Sequence, residues 1–587
     1  PGLPCVRGRG ALGATQRTCY KFLMAPGKRE AGEEGELRRR VRGKARQGGD
    51  IQTLLEQHSL RAVRVLSTGW PDAGTVELGE EEQPQDVKQQ LQHMVSLAHL
   101  PLKTQLMDIG WHGKHETWEA RPMLCTSAGH SPLASVQLSV QTHDQTQALA
   151  LTPHNAVSVP EPTAEGRYVH LLDAGGHVYD LAWARQRGDG PEWLAVACAQ
   201  KRDASSTLGG TTDADGVIEI WKMLPGDIPR LQLVMEHEAG TPFHLAWRPR
   251  VPVDDRGEGT LAVSYSDATV RLMDIPNLPE NDVASSRVRA TARTSLHVPG
   301  TACYSLAWGG PTRLAVGCSN GHVAIWELNG NEEAPAPLVD APLHDTLVSS
   351  LAWQMLPPLS VDGIPWHEGH PDVLCSVGWD GTELVSHMEA MYTPMRLAHS
   401  REPRYAVAWS PWIGGWVLDL GDHQFGTVSL RTWDAGQHHA LGFHHGRVLV
   451  CISSSDSCLM QSVATSAMHP YVATGAADGT VKLTNALAVT KRHAVEDGSR
   501  VRALVGSPLT QIMHVRSRIL RDSEERYTLR HGFFPEGVWP RGSMTKSAPL
   551  LYDAWEASVA LTSVARSPKP ARDVILASCG AVGTVRE

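Results

Sequence analysis

Histidine is the residue type in this sequence that could bind a metal, because imidazole is the commonest metal ligand in proteins. The chain contains 28 His, among them His112 and His115 in WHGKHETWE and the pairs His438-His439 and His444-His445. None of these groups has Cys or carboxylate partners at the spacing of a metal-binding motif. We therefore predict no metal site and interpret these histidines as solvated loop residues.

Catalytic and cofactor-binding motifs are the next possible source of chemistry in the sequence. No GxxxxGK[ST] loop is present to cradle a phosphate, no GxGxxG follows a strand and opens a helix, and no HExxH occurs. The sequence therefore nominates no catalytic residue and no cofactor-binding residue. We predict that the protein is not an enzyme and needs no cofactor.

The ten cysteines are scattered without a CxxC pair, which favours reduced thiols over a disulfide framework or a zinc site. Four of them fall in apolar segments that resemble one another: Cys198, Cys318, Cys375 and Cys579. A buried free Cys behaves as a small hydrophobic residue. We expect these four thiols to pack in the core.

Two tryptophans stand out in SPWIGGWVLDLGDH, where Trp412 and Trp416 flank a Gly pair. An exposed Trp is a favoured anchor in protein interfaces, so both are candidates for a partner surface. The alternative is that both rings pack into the edge of a sheet.

The net charge of −9 provides no global field that would hold nucleic acid. The first 46 residues are different, with twelve Lys or Arg against four Glu. The densest part consists of Arg38, Arg39, Arg40, Arg42, Lys44 and Arg46. Such a segment is either an arm for nucleic acid or an acidic partner, or a solvated disordered tail.

A repeated pair of strands organises most of the chain. A segment ending in Ala-Trp is followed by an apolar strand, a tight turn and an alternating strand, as in LAWGGPTRLAVGCSNGHVAIWEL. Turns at Asp215-Gly216, Asn320-Gly321, Asp380-Gly381 and Asp478-Gly479 supply the positive φ angles that tight hairpins require. The recurring tryptophans are Trp183, Trp247, Trp308, Trp353 and Trp409, at spacings of 64, 61, 45 and 56 residues. We expect them to fill the space between adjacent sheets.

These spacings fit blades of four short strands with loop insertions, and seven units can be traced. The expected fold is all-β, a seven-bladed WD-repeat-like β-propeller. The last unit ends after its third strand, so an N-terminal strand must complete it. RYVHLLD, Arg167 to Asp173, is the first candidate, and SVQLSV, Ser135 to Val140, is the alternative.

The rest of the chain divides by composition. We assign 1–50 to a basic disordered arm, 51–165 to a linker with a possible short helix, and 166–587 to the propeller, with 489–553 an insertion in its last blade. No run approaches the ~18 apolar residues of a membrane helix, and we expect no membrane contact.

Between about residues 167 and 510, the sequence resembles the WD-repeat subunit of transcription factor IIIC, the general factor for tRNA-type genes. The resemblance rests on passages and their order: HEAGTPFHLAWRPR with GTLAVSYSDATVRLMDIP, LAWGGPTRLAVGCSNGHVAIWEL, HDTLVSSLAW through DVLCSVGWDGT, and YVATGAADGTVKL with KRHAVEDGSR. The Trp-Asp dipeptide that names the repeat is nearly absent, which makes this a divergent member.

The resemblance implies a nuclear scaffold subunit without catalysis. Its expected partners are the other subunits of transcription factor IIIC, including a second propeller subunit. It implies that promoter DNA, the internal B box, is reached mainly through the complex, which then recruits RNA polymerase III. The alternative is another interaction propeller, such as a chromatin reader or a ubiquitin-ligase substrate receptor.

Overall fold

The structure is a computed structural model that divides the chain into units 1–64 and 65–587. All of the described residues belong to the second unit. They are 124–125, 135–141, 146–160, 168–184, 191–201, 208–209, 216–224, 227–249, 259–278, 285–328, 335–355, 370–410, 415–419, 424–429, 450–451, 460–466, 471–477, 479–485, 493–494, 500–501, 514–521, 527–536, 561–567, 576–580 and 584–586.

The described residues form small, mostly antiparallel sheets, which we number I to VII in the order of their first strands. Sheet I contains Val178–Trp183, Glu192–Ala199, Gly216–Met223, Arg230–Glu236, Ser286–Arg289 and Leu124–Cys125. Sheet II contains Pro242–Trp247, Gly259–Tyr265, Val270–Ile275 and Thr294–Leu296. Sheet III contains Cys303–Trp308, Arg313–Cys318, His322–Glu327 and Val339–Pro342. Sheet IV contains Val348–Trp353, Val373–Gly378, Thr382–His387 and Met395–His399.

The later sheets are built in the same way. Sheet V contains Val407–Ser410, Gly415–Asp419, Gln424–Ser429 and Val450–Cys451. Sheet VI contains Met460–Ala464, Tyr471–Ala476, Thr480–Asn485, His514–Arg521, Tyr527–Glu536, Val136–Gln141 and Thr146–Leu151. Sheet VII contains Leu561–Arg566, Leu576–Gly580, Thr584–Arg586, Tyr168–Asp173 and Ala156–Pro160. The two-residue strands His493–Ala494 and Arg500–Val501 pair separately, and Met388–Ala390 is a short 3₁₀ helix.

The all-β prediction is therefore confirmed for the described residues. Among them, no helix is both long enough and apolar enough to cross a bilayer.

Apolar clusters lie between successive sheets. One cluster joins the strands of sheet I to those of sheet II around Trp193, Ile220 and Leu261. Comparable clusters join II to III, III to IV and IV to V, and another joins VII to I. The alternating strands of the repeat thus bury their apolar side chains against the neighbouring sheet, which a lone hairpin lacks.

The first strand of each sheet is an edge strand, and it packs against the first strand of the next sheet. The outward carbonyls of an edge strand lack partners within their own sheet. Indole N–H groups of the following sheet supply the missing donors. Each indole N–H donates to a backbone carbonyl at 3.0 Å: Trp247 to Ala182, Trp308 to Ala246, Trp353 to Ala307 and Trp416 to Ala352. We call this series the indole ladder.

The ladder continues from sheet VII to sheet I. Leu561–Arg566 contacts Val178–Trp183, and the Trp183 indole donates to the Ala565 carbonyl at 3.3 Å. All five recurring tryptophans thus belong to apolar clusters between adjacent sheets, as predicted. Trp409 differs only in hydrogen bonding, because its buried indole nitrogen has no partner among the described residues and Trp416 occupies the ladder position of sheet V.

The N-terminal candidate strand completes the last sheet. Tyr168–Asp173 pairs antiparallel with Thr584–Arg586, with Leu172 opposite Val585. This pairing confirms the first candidate, whereas the alternative segment lies in sheet VI, where Val136–Gln141 runs parallel to Tyr527–Glu536.

A partly buried His–Glu pair ties sheet VII to sheet I. His154, in the turn before Ala156–Pro160, places its Nδ1 2.6 Å from Oε1 of the buried Glu219 in sheet I. The other carboxylate oxygen accepts the Trp221 indole N–H at 2.8 Å. Burial raises the pKa of Glu219, while the hydrogen bond that His154 makes to Glu219 raises the pKa of His154.

Two predicted ranges need correction. Residues 136–160, assigned to the 51–165 linker, form strands of sheets VI and VII, and Val136, Leu151 and Leu171 share one apolar cluster. Residues 514–536, assigned to the insertion of the last blade, supply the fourth and fifth strands of sheet VI. In both ranges, polar and basic residues between the apolar positions weaken the strand pattern. The predicted helix of the linker lies outside the described residues.

The tight turns also differ in detail from the prediction. Gly321, Gly381 and Gly479 have positive φ, but Asn320 and Asp380 do not, so only the glycine is left-handed. In sheet II the equivalent position is Ala268, whose φ is 76°. A residue with a Cβ is disfavoured in this region, and the turn of sheet II is therefore strained relative to the others.

Candidate partner-binding surface

The predicted partner surface is corrected for Trp416. Its side chain is 0% exposed and its indole N–H bonds to the neighbouring sheet, so it packs in the core and offers no surface to a partner. Its ring lies perpendicular to that of Trp409 at 5.2 Å. Trp412 and the basic residues of the arm, from Arg38 to Arg46, lie outside the described residues.

The described residues include no group of three or more His, Cys, Asp or Glu that could hold a metal ion. His112, His115 and the pairs at 438–439 and 444–445 lie outside them. The four cysteines predicted to pack in the core, Cys198, Cys318, Cys375 and Cys579, are free and buried, which confirms their placement.

One buried cluster has the geometry of a nucleophile, a base and an orienting acid. The Ser376 hydroxyl lies 2.9 Å from His344 Nε2, and His344 Nδ1 lies 3.2 Å from both Asp380 oxygens. Burial alone would raise the pKa of Asp380, but hydrogen bonds from His344, Asp345 and Thr382 lower it to about 2.

Access decides what this cluster can do. Ser376 and the His344 side chain are both 0% exposed, so a substrate has no route to the hydroxyl. The cluster instead holds the hairpin turn of sheet IV against the loop before its first strand. A second segment, GCSNG from Gly317 to Gly321, matches the GxSxG pattern of serine hydrolases. That pattern requires a strand-turn-helix elbow, whereas this segment forms a strand-turn-strand hairpin.

The bulges of the first strands carry the most distinctive side chains. In sheets I, II and III the strand register shifts across one residue near the start of the first strand. The residues at these shifts are Tyr179, Phe243 and Tyr304. A β-bulge re-aims its side chain out of the regular alternation, and bulges are frequent beside binding sites.

The three bulge residues form a continuous series of rings with two histidines. Tyr179 meets Phe243 edge-on at 5.3 Å, and Phe243 lies 6.0 Å from Tyr304. His177 lies 4.5 Å from Tyr179 at one end, and His244 is perpendicular to Tyr304 at 4.6 Å at the other. We call these five residues the aromatic arc.

The fold does not require aromatic residues at these positions. Sheets IV, VI and VII have the same register shift, at Ser349, Gln461 and Thr562. Ser349 bonds to the carbonyls of Val377 and Arg404, and Thr562 bonds to the carbonyl of Val178. A small polar residue therefore suffices to build the bulge, and the three aromatic residues serve another purpose.

One carboxylate lies beneath the arc. Asp180 accepts the backbone N–H groups of Leu181 and Leu245, and its Oδ2 lies 3.4 Å from His244 Nδ1. Burial lowers the pKa of His177. Burial, with smaller contributions from Asp180 and Tyr179, raises the pKa of Tyr304 to about 12. The arc thus presents aromatic rings with phenol and imidazole groups that can hydrogen-bond.

This combination suits contact with another protein. Tyr179, Tyr304 and both histidines are partly exposed, while Phe243 is buried among them. Large amphipathic rings of this kind are enriched in protein interfaces. The signal is present in the sequence, as an aromatic residue two positions before Leu in HVYDLAW, TPFHLAW and ACYSLAW. This aromatic position is less evident than the Ala-Trp end of the same motif, because Ala-Trp recurs in more of the units.

Comparison with known proteins shows that the chain is similar in sequence to a subunit of a transcription factor. No protein-family model matches it. It is 22% identical over 322 residues to "Transcription factor tau subunit sfc6" of Schizosaccharomyces pombe. The match covers 54% of this chain and 50% of the relative, so the chain spans about half the length of the curated relative it matches. The resemblance predicted from the order of the strand pairs is confirmed, and the chain is a distant relative of a subunit of transcription factor IIIC.

Proposed function

We propose that the chain is a non-catalytic scaffold subunit of transcription factor IIIC that acts in the nucleus. The observation that carries this proposal is the similarity to the transcription factor tau subunit over 54% of the chain. The buried state of the one Ser-His-Asp cluster in the described residues agrees with a role in binding.

The scaffold proposed is a seven-bladed WD-repeat β-propeller. Seven first strands contact one another in sequence order, and the seventh contacts the first. The pairing of Tyr168–Asp173 with Thr584–Arg586 supplies the fourth strand of the last blade from the N-terminal side. The indole ladder then supplies hydrogen bonds between five pairs of neighbouring blades, which help to keep the ring rigid.

A rigid ring positions partners through its loops and exposed side chains. We assign the aromatic arc to the contact with another subunit of the factor, a second propeller subunit being the expected one. The arc contains no Lys or Arg and lies beside the carboxylate of Asp180, so it does not suit DNA phosphates. Recognition of the internal B box and recruitment of RNA polymerase III therefore fall to the assembled complex.

The test is co-purification of tagged full-length chain from nuclear extract. Wild-type chain is expected to recover subunits of transcription factor IIIC, and recovery of none would overturn the proposed function. The double variant Tyr179→Ala with Tyr304→Ala is expected to lose at least one subunit. Gln461→Ala is the matched control, because it removes a non-aromatic bulge side chain at the same position of sheet VI. Full recovery by the double variant would remove the arc from the proposal and leave the rest intact.

The basic residues from Arg38 to Arg46 are proposed as a separate contact for nucleic acid or an acidic partner. Replacing all six with Ser tests this role. If the arm binds phosphates, the variant binds duplex DNA with a weaker salt dependence, because each lost phosphate contact removes about 0.9 from the log–log slope. An unchanged slope would favour a solvated tail.

A further inference from the structure

Trp379 occupies the tight turn between the second and third strands of sheet IV and is 50% exposed. The turns of sheets II and III place Ser266 and Ser319 at the same position, since the closing hydrogen bonds Ala268 N–H to Tyr265, Gly321 N–H to Cys318 and Gly381 N–H to Gly378 align. A serine therefore occupies this position in the turns of two other sheets. The indole of Trp379 is therefore not needed to form it.

Two neighbouring segments converge on this turn. The loop before sheet IV donates the Asp345 N–H to Asp380, and its Leu347 carbonyl accepts the Trp379 N–H. From the segment before sheet V, Tyr405 places its ring 6.3 Å from that of Trp379, in an edge-to-face arrangement. The result is a partly exposed aromatic pair that bridges two sheets.

The charges around the pair are mainly negative. Asp345 is exposed and its N–H bonds to Asp380, while the Glu402 N–H bonds to Ser400, which itself bonds to the Gly381 carbonyl of the turn; Arg401 beside Glu402 is exposed. The nearby Arg404 is buried and paired with Glu383. Hydrogen bonds keep Asp380 ionised despite its partial burial. With Asp380 paired to His344, two carboxylates, Asp345 and Glu402, remain against one guanidinium, Arg401, and this balance favours a cation over a phosphate.

We propose that Trp379, Tyr405 and the adjoining carboxylates form a binding surface for an extended, Arg- or Lys-rich segment of a partner protein. A guanidinium stacks on the face of an indole more favourably than on any other ring, and carboxylates beside the ring accept its N–H groups. Nucleic acid bases also stack on Trp, but their phosphates would meet the carboxylates. This inference is independent of the proposed function, because it uses neither the arc nor the comparison with a relative.

The test is fluorescence anisotropy of a labelled Arg-Arg-Gly-Arg-Arg-Gly peptide with the full chain. Trp379→Ala is expected to weaken binding roughly tenfold, which corresponds to about 1.4 kcal/mol. Asp345→Asn with Glu402→Gln is expected to weaken it further and to reduce its salt dependence. Tyr392→Ala is the matched control, since Tyr392 is 67% exposed in a different loop of the same sheet. That control is expected to bind as the wild type does.

Two results would overturn the inference. One is equal peptide affinity in wild type and Trp379→Ala, which would assign the binding to the general negative charge. The other is tighter binding of a single-stranded oligonucleotide that is lost in Trp379→Ala, which would make the surface a base-stacking site. A Trp379→Phe variant guards against misfolding, because it keeps a ring and is expected to retain most of the affinity.

Discussion

Trp409 and Trp416 lie side by side in sheet V but differ in one hydrogen bond, and this difference predicts opposite responses to the same substitution. Trp416 is 0% exposed and its indole N–H donates to the Ala352 carbonyl. Trp409 is 8% exposed, and among the residues that the structure describes its buried indole nitrogen has no hydrogen-bond partner. Replacing each with Phe removes the N–H while keeping an aromatic ring.

The magnitudes follow from burial and hydrogen bonding. A Phe buries roughly 50 Å² less apolar surface than a Trp, which costs about 1 kcal/mol. Trp416→Phe also leaves the Ala352 carbonyl without its donor, at about 1–3 kcal/mol, and should lower the free energy of unfolding by about 2–4 kcal/mol. Trp409→Phe instead removes an unsatisfied donor, which offsets the lost area and leaves the stability near or above that of the wild type.

Urea denaturation followed by circular dichroism measures both variants in one experiment. Trp379→Phe, at an exposed turn position, is the control and should change the free energy by less than about 0.5 kcal/mol. A difference below about 1 kcal/mol between Trp416→Phe and Trp409→Phe would contradict the assignment of the ladder bond to Trp416.

Three further predictions concern the turns, the ion pair and the closing strand. Ala268→Gly should raise the melting temperature by relieving a positive φ, whereas Gly321→Ala should cost more than about 2 kcal/mol because its Cβ would collide with the His344 carbonyl; equal effects would contradict this. The pKa values of His154 and Glu219 are both raised in the native state, which therefore holds more protons than the unfolded chain, and stability should fall as pH rises above His154's ordinary value of 6.5. Glu219→Gln should flatten this trend in melting curves recorded over a pH series. A series that is not flattened would rule out the pair. Deleting 160–173 should abolish soluble monomer in gel filtration, and an unchanged melting transition would refute the closure.

The strands that carry the repeat could be predicted because local and long-range signals agree there. GHVAIWEL alternates, its turn residues are Asn-Gly, and its neighbour ends in Ala-Trp, so sequence and packing point to the same hairpin. The fourth strands were harder. TSL, the fourth strand of sheet II, is three residues long and lies at a sheet edge, where pairing depends on the neighbouring strand more than on apolar pattern.

The candidate surfaces depended on tertiary context that the sequence does not encode locally. The repeat singles out Trp409 as the inter-sheet residue, but the position of the preceding sheet decides that the Trp416 indole is the one that reaches a carbonyl. The aromatic residues of the arc recur in the sequence, but the bulge that brings them together is a relation between two strands and cannot be predicted locally. Trp379 gives no separate signal in the sequence, because the adjacent Asp-Gly pair already explains the segment as a turn.

The strand pairing of 168–173 with 584–586 joins two segments that lie far apart in the sequence. On the ribosome, sheet VII stays incomplete until the later segment has emerged, and the apolar face of Leu172 lacks its cover by Val585 for that whole interval. Such a long sequence separation slows the final step and extends the need for chaperone protection.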